Sequence, residues 1–198
     1  MELNIDEVID FWKWFKSISN ELLIDPTNTD LIIQIDERIR TFNDFDWEIG
    51  PWKDSIYYLS ISPGLIADKL EFTREFVKYA PASSGWHFLS SKPSKIDWKG
   101  IWKMSNDTGE EILVDSNNWK YILYHFEDKT FDIDVITDDI NGNEDTVSMA
   151  IDIALTGYLG EEMYMSLIKN ISVVNNFEEE YRGKASLIKY IKKHIEQL

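Results

Sequence analysis

The chain has 198 residues, 43% of them apolar and 14% aromatic, which is enough to bury a core and excludes intrinsic disorder. Its formal charge of −16, from 36 acidic and 20 basic residues, repels phosphate backbones and argues against a nucleic-acid ligand. Without cysteine there are no disulfides, no thiol catalysis and no cysteine-held metal.

Taken in order, Ile5, Val8, Ile9, Trp12, Phe15 and Ile18 recur at helical spacing and predict a helix over 4–23, capped by Asn4 or Asp6. Asp25-Pro26-Thr27 breaks it. Leu31, Ile32, Ile35, Ile39 and Phe42 predict a second helix over 28–42, so residues 1–43 read as a helical hairpin. The period then falls to two. Phe45, Trp47 and Ile49 alternate with Asp44, Asp46 and Glu48, and a turn at 50–54 leads into a second strand over 55–62. A helix is expected over 65–79 and is ended by Pro81. Strands are expected at 86–91, 112–114, 119–127 and 130–137, whereas 96–104 fits a short strand or a helical turn. Asn141-Gly142 marks a turn before a helix over 144–156, and Gly157 and Gly160 bracket a break. Residues 161–174 carry both periods and are assigned to a strand over 163–174. A terminal helix follows at 184–197.

These elements predict one α+β domain over 1–198. Its mainly antiparallel sheet spans 44–174 with inserted helices, an N-terminal helical hairpin precedes it, and helices pack on one face. The start MELNIDEVIDFW lacks the basic and apolar regions of a secretory signal. No apolar run nears the roughly 20 residues of a membrane span, so a cytoplasmic protein with no membrane partner is expected.

Few motifs carry chemistry. His87, His125 and His194 fall in three separate elements without a metal-binding or catalytic pattern. Asp139–Asp145 looks like part of a calcium loop, but counted from Asp139 the glycine is fourth rather than sixth and the twelfth residue is Ala150. A turn with Asn143 as helix cap explains it better. Glu48, flanked by Trp47 and Trp52, together with Glu161 and Glu162, could supply a carboxylate pair for sugar hydrolysis, though no spacing fixes one. Ser62, Ser83 and Ser84 lack the nucleophile elbow, and no phosphate loop or dinucleotide fingerprint occurs. Lys92, Lys95, Lys99 and Lys103, opposed by Asp97 alone, form a basic island that either binds an anion or pairs with the protein's own carboxylates. No cofactor and no metal is expected.

The strongest pattern is acidic. Between 127 and 152 there are nine carboxylates and one lysine. Asp132 and Asp134 alternate with Phe131, Ile133 and Val135, so both face away from the core, and Asp138 and Asp139 follow. Such density repels itself unless something positive docks there, although a charged sheet edge that resists aggregation gives the same pattern.

Trp47-Glu48-Ile49-Gly50-Pro51, Ser62-Pro63-Gly64, Tyr79-Ala80-Pro81, Gly85-Trp86-His87-Phe88 and Lys92-Pro93, with Leu159-Gly160-Glu161-Glu162 further on, are together similar to a group of uncharacterised bacterial proteins. That resemblance covers about 45–93 and 144–165 and implies a bacterial cytoplasmic domain of unknown function, with no catalytic residues to transfer. In size and acidity the chain also resembles immunity proteins that neutralise toxins. The expected function is therefore a non-enzymatic domain whose Asp132, Asp134, Asp138 and Asp139 dock a cationic protein. The alternative is a small-ligand binder or hydrolase with a pocket around Glu48, Trp86 and His87.

Overall fold

The computed structural model describes residues 3–42, 44–53, 56–138 and 140–198. The chain is α+β and forms two compact units, 1–92 and 93–198, each with its own core.

In the first unit, α1 (Ile5–Ile24) and α2 (Thr29–Arg40) form the helical pair. Each start is capped by an asparagine: Asn4 Oδ1 accepts from Asp6 N (3.2 Å), and Asn28 Oδ1 from Leu31 N (3.2 Å). Val8, Phe11, Trp12, Phe15 and Leu22 make one buried stripe on α1, the spacing that an amphipathic helix requires. β1 (Asp46–Pro51) and β2 (Tyr57–Ser62) form an antiparallel hairpin, with Glu48 opposite Ser60 and Gly50 opposite Tyr58. A 3-10 turn at 67–69 leads into α3 (Leu70–Lys78), and the chain returns as β3 (Trp86–Leu89) parallel to β2. The core is unusually aromatic. Trp12 meets Phe11, Phe15, Phe76 and Phe88 edge-on, and its Nε1 donates to the carbonyl of Phe76 (2.9 Å). Trp86 meets Phe15 edge-on and donates to the carbonyl of Ser19 (3.1 Å).

In the second unit, β4 (Ile101–Ser105) and β5 (Glu111–Asp115) form a two-stranded antiparallel sheet. Its turn is organised by Asn106, whose Oδ1 accepts from Thr108 N, Thr108 Oγ1 and Glu110 N. A four-stranded sheet follows, built from β6 (Lys120–His125), β7 (Phe131–Ile136), β8 (Ile168–Val173) and β9 (Ser186–Leu187) in the order β8-β7-β6-β9. β7 pairs antiparallel with β6 and parallel with β8, and the crossover between β7 and β8 carries α4 (Glu144–Leu159) and α5 (Glu161–Leu167). Phe131, Ile133 and Val135 on one face of β7 share a core with Ile151, Ala154 and Leu155 of α4.

Three local expectations change. The stretch 161–174 is helix over Glu161–Leu167 and strand over Ile168–Val173, so the strand expected over 163–174 holds only from Ile168 onward, and the alternation of Met163, Met165 and Leu167 falls inside a helix. Gly157 lies inside α4, and the break falls at Gly160, whose φ of 84° is the left-handed region that glycine adopts without cost. The terminal helix is shorter. Ser186 and Leu187 pair with β6 as β9, a 3-10 turn covers 188–190, and only Ile191–Ile195 form α6. Pairing with the open edge of β6 overrides helical periodicity there, and Ile188 N donates to the carbonyl of Trp119 (2.9 Å).

Candidate functional site

β7 is an interior strand, flanked by β6 and β8, so its aspartates are not edge charges. The two-residue period turns Phe131, Ile133 and Val135 into the core and Asp132 and Asp134 to the opposite face. Both aspartates are half-buried and both are engaged. Asp132 accepts from Asn170 Nδ2 of β8 (2.9 Å), and Asp134 accepts from the Tyr124 hydroxyl of β6 (2.8 Å). These neutral donors fix the direction of each carboxylate without cancelling its charge.

The hydroxyl of Tyr124 is pushed up to about 12, first by burial, then by its bond to Asp134 and by the charges of Asp134 and Glu178. Tyr181 stands edge-on to Tyr124, with ring centroids 5.5 Å apart. Its own hydroxyl is raised by a bond to Glu180. The loop after β8 therefore adds Glu178 and Glu180 to the aspartate face. Sequence spacing could not show this, because the contact depends on how residues 174–185 fold back. Arg182 and Lys184 belong to the same loop, but Arg182 Nε donates to the carbonyl of Phe177 (3.1 Å) and Lys184 lies over the Tyr181 ring (4.9 Å).

Asp138 is exposed at the mouth of a cavity of about 270 Å³ whose walls include Ile112, Val114, Trp119 and Ile140. Asp139 lies outside the described residues. Asp128 is held below the usual carboxylate range, chiefly by hydrogen bonds from the Thr130 hydroxyl and backbone N–H. Among the described residues, no carboxylate between Glu127 and Asp152 forms an ion pair, and the pairs present lie elsewhere: Asp10–Lys13, Asp36–Arg40, Asp46–Lys92, Glu71–Arg74, Glu75–Lys78 and Glu111–Lys103. The segment richest in carboxylate thus carries no ion pair among its described residues, although the charge of Lys169 acts on Asp128, and it attracts cations over a Debye length of about 8–10 Å at ordinary salt.

The alternative trio does not line one pocket. Trp86 and His87 are neighbours on β3 and point to opposite faces, Trp86 into the aromatic core and His87 outward. His87 is exposed and stacks on Trp52, with centroids 5.0 Å apart and planes 17° apart. Glu48 shares its face of the sheet, but Tyr58 of the middle strand sits opposite His87 and donates its hydroxyl to Glu48. Burial and the Glu48 charge drive that hydroxyl far above its ordinary range, so it stays protonated. His125 lies in β6, in a different sheet from His87, and stacks on Phe131 (4.9 Å). His194 Nδ1 is 2.9 Å from the Tyr121 hydroxyl. Glu161 is buried at the start of α5, in a different unit from Glu48.

Among the described residues no three His, Asp or Glu side chains are grouped to hold a metal ion, and Asn143 caps α4 by accepting from Thr146 N (2.9 Å). No described helix is long and apolar enough to cross a membrane. Comparison with protein-family models, with curated proteins and with solved structures finds no match to this chain.

Proposed function

We propose that this chain is a non-enzymatic binding protein that docks a cationic protein partner in the cytoplasm, through Asp132 and Asp134 on one face of β7 and the exposed Asp138 that follows it. The observation behind this reading is the density of carboxylate from Glu127 to Asp152 together with the lack of any ion pair among its described members. Self-repulsion of this kind costs stability when the chain is alone and is relieved when a basic surface covers it. Asp132 and Asp134 are also held by Asn170 and Tyr124, so little side-chain freedom is lost when they are engaged. Glu178 and Glu180 extend the same face.

An inhibitor of this design covers a basic active site or imitates its anionic substrate. The likeness in size and acidity to immunity proteins points the same way, and a toxin with a basic domain is one such partner. The test is affinity capture from the source cell at about 50 mM and about 500 mM salt, since surface charge attraction weakens as the screening length falls. A basic protein retained at low salt and released at high salt is expected. Retention of nothing salt-sensitive would refute the reading.

A further inference from the structure

The second unit holds a cationic groove made from two distant parts of the chain. Residues 94–98 form one wall. They are tied to the end of α4 by a hydrogen bond from Lys95 N to the carbonyl of Gly157 (2.8 Å). Trp98 lies directly on Gly157, where a Cβ would stand 2.3 Å from the ring, and packs at 4.8 Å against Tyr158. The C-terminal segment forms the other wall. Ile188, Ile191 and Ile195 are buried, which turns Lys189, Tyr190, Lys193 and Glu196 outward. Lys192 Nζ bridges the two walls by donating to Ser94 Oγ (2.8 Å).

Four lysines, Lys95, Lys189, Lys192 and Lys193, line this groove against two carboxylates, Asp97 and Glu196. Among the described residues Lys189, Lys192 and Lys193 form no ion pair, although the chain has carboxylates in excess. Two of the lysines rest on aromatic faces: Lys95 Nζ is 5.9 Å from the Trp98 ring and Lys189 Nζ is 5.4 Å from that of Tyr190. The volume, about 460 Å³, is the size of a small-ligand site. The basic island read from the sequence contributes only Lys95, since Lys92 pairs with Asp46 and Lys103 with Glu111.

We propose that this groove binds a mononucleotide-class ligand, with its phosphate among Lys95, Lys192 and Lys193 and its planar ring against the exposed Tyr190. Lysine serves phosphate as a compact charge with three donors. Aromatic faces accept any flat ring by stacking. A small anion stays within the positive groove. A nucleic-acid strand would have to continue over the acidic remainder of the chain, where its phosphates are repelled. The inference is independent of the acidic face.

Calorimetric titration of the full chain with ADP and, separately, with orthophosphate at about 50 mM salt tests it. ADP is expected to bind at least about 10-fold more tightly than orthophosphate, and Lys192→Ala/Lys193→Ala to weaken ADP about 10-fold or more with an unchanged circular dichroism spectrum. Tyr190→Ala, at a side chain that is 53% exposed, is expected to weaken ADP and spare orthophosphate. Asp132→Asn/Asp134→Asn is expected to bind ADP as the native chain does. Any of four results overturns the proposal: no heat with ADP up to about 1 mM, orthophosphate binding as tightly as ADP, native affinity in the double-lysine variant, or a single-stranded oligonucleotide binding more tightly than ADP.

Discussion

Replacing Trp12 tests the aromatic core of the first unit. Trp12 is 1% exposed, is met edge-on by four phenylalanines, and donates to the Phe76 carbonyl. Trp12→Ala removes the whole ring and leaves a cavity, a change that costs about 3–5 kcal/mol. Trp12→Phe keeps most of the edge-on packing and loses the N–H bond. The Phe76 carbonyl retains the Tyr79 N–H at 3.4 Å, so it is not stranded. The loss for Trp12→Phe should therefore be about 1–2 kcal/mol, one neutral hydrogen bond plus a small void. Urea unfolding followed by circular dichroism reads both values. The reasoning fails if Trp12→Ala costs under about 1 kcal/mol, or if phenylalanine is no better tolerated than alanine.

Three further outcomes follow. Asn143→Ala should lower stability by about 1 kcal/mol in the same urea assay, because Asn143 Oδ1 caps α4 through Thr146 N. Gly100→Ala should cost more, since φ is 69° and the new Cβ would lie 2.4 Å from the Tyr158 hydroxyl; a stability equal to native would contradict this. Asp134→Asn should lower the Tyr124 hydroxyl from about 12 toward its usual value without reaching it, because burial, the larger cause, remains. The difference in tyrosinate absorbance between variant and native chains reports that shift. Folding raises this hydroxyl's pKa, so its contribution to stability is complete below about pH 10 and disappears as the pH climbs through about 12.

Local periodicity made much of this fold legible. The stripe on α1 and the alternation on β7 each follow from one buried face, and both asparagine-capped starts and the Asn143 cap stand in the sequence as short polar residues before apolar runs. Pairings between distant segments were not legible. Nothing near Trp86 shows that β3 runs parallel to β2, and nothing in Ser186-Leu187 announces a partner at Lys120 and Tyr121. The same limit applied to the sites. Alternation placed Asp132 and Asp134 on one face, whereas Glu178, Glu180 and the meeting of Lys95 with Lys192 and Lys193 depend on chain folding back. Glu48 and His87 do share a sheet face, but Tyr58 occupies the place between them.

The most direct test of the docking account is the dissociation constant of the captured basic partner for the native chain and for Asp132→Asn/Asp134→Asn/Asp138→Asn, each at about 50 mM and about 300 mM salt. The account predicts that the triple variant binds at least about 10-fold more weakly at low salt and that its affinity depends less on salt than the native chain's. Equal affinity and equal salt dependence of the two proteins would contradict it.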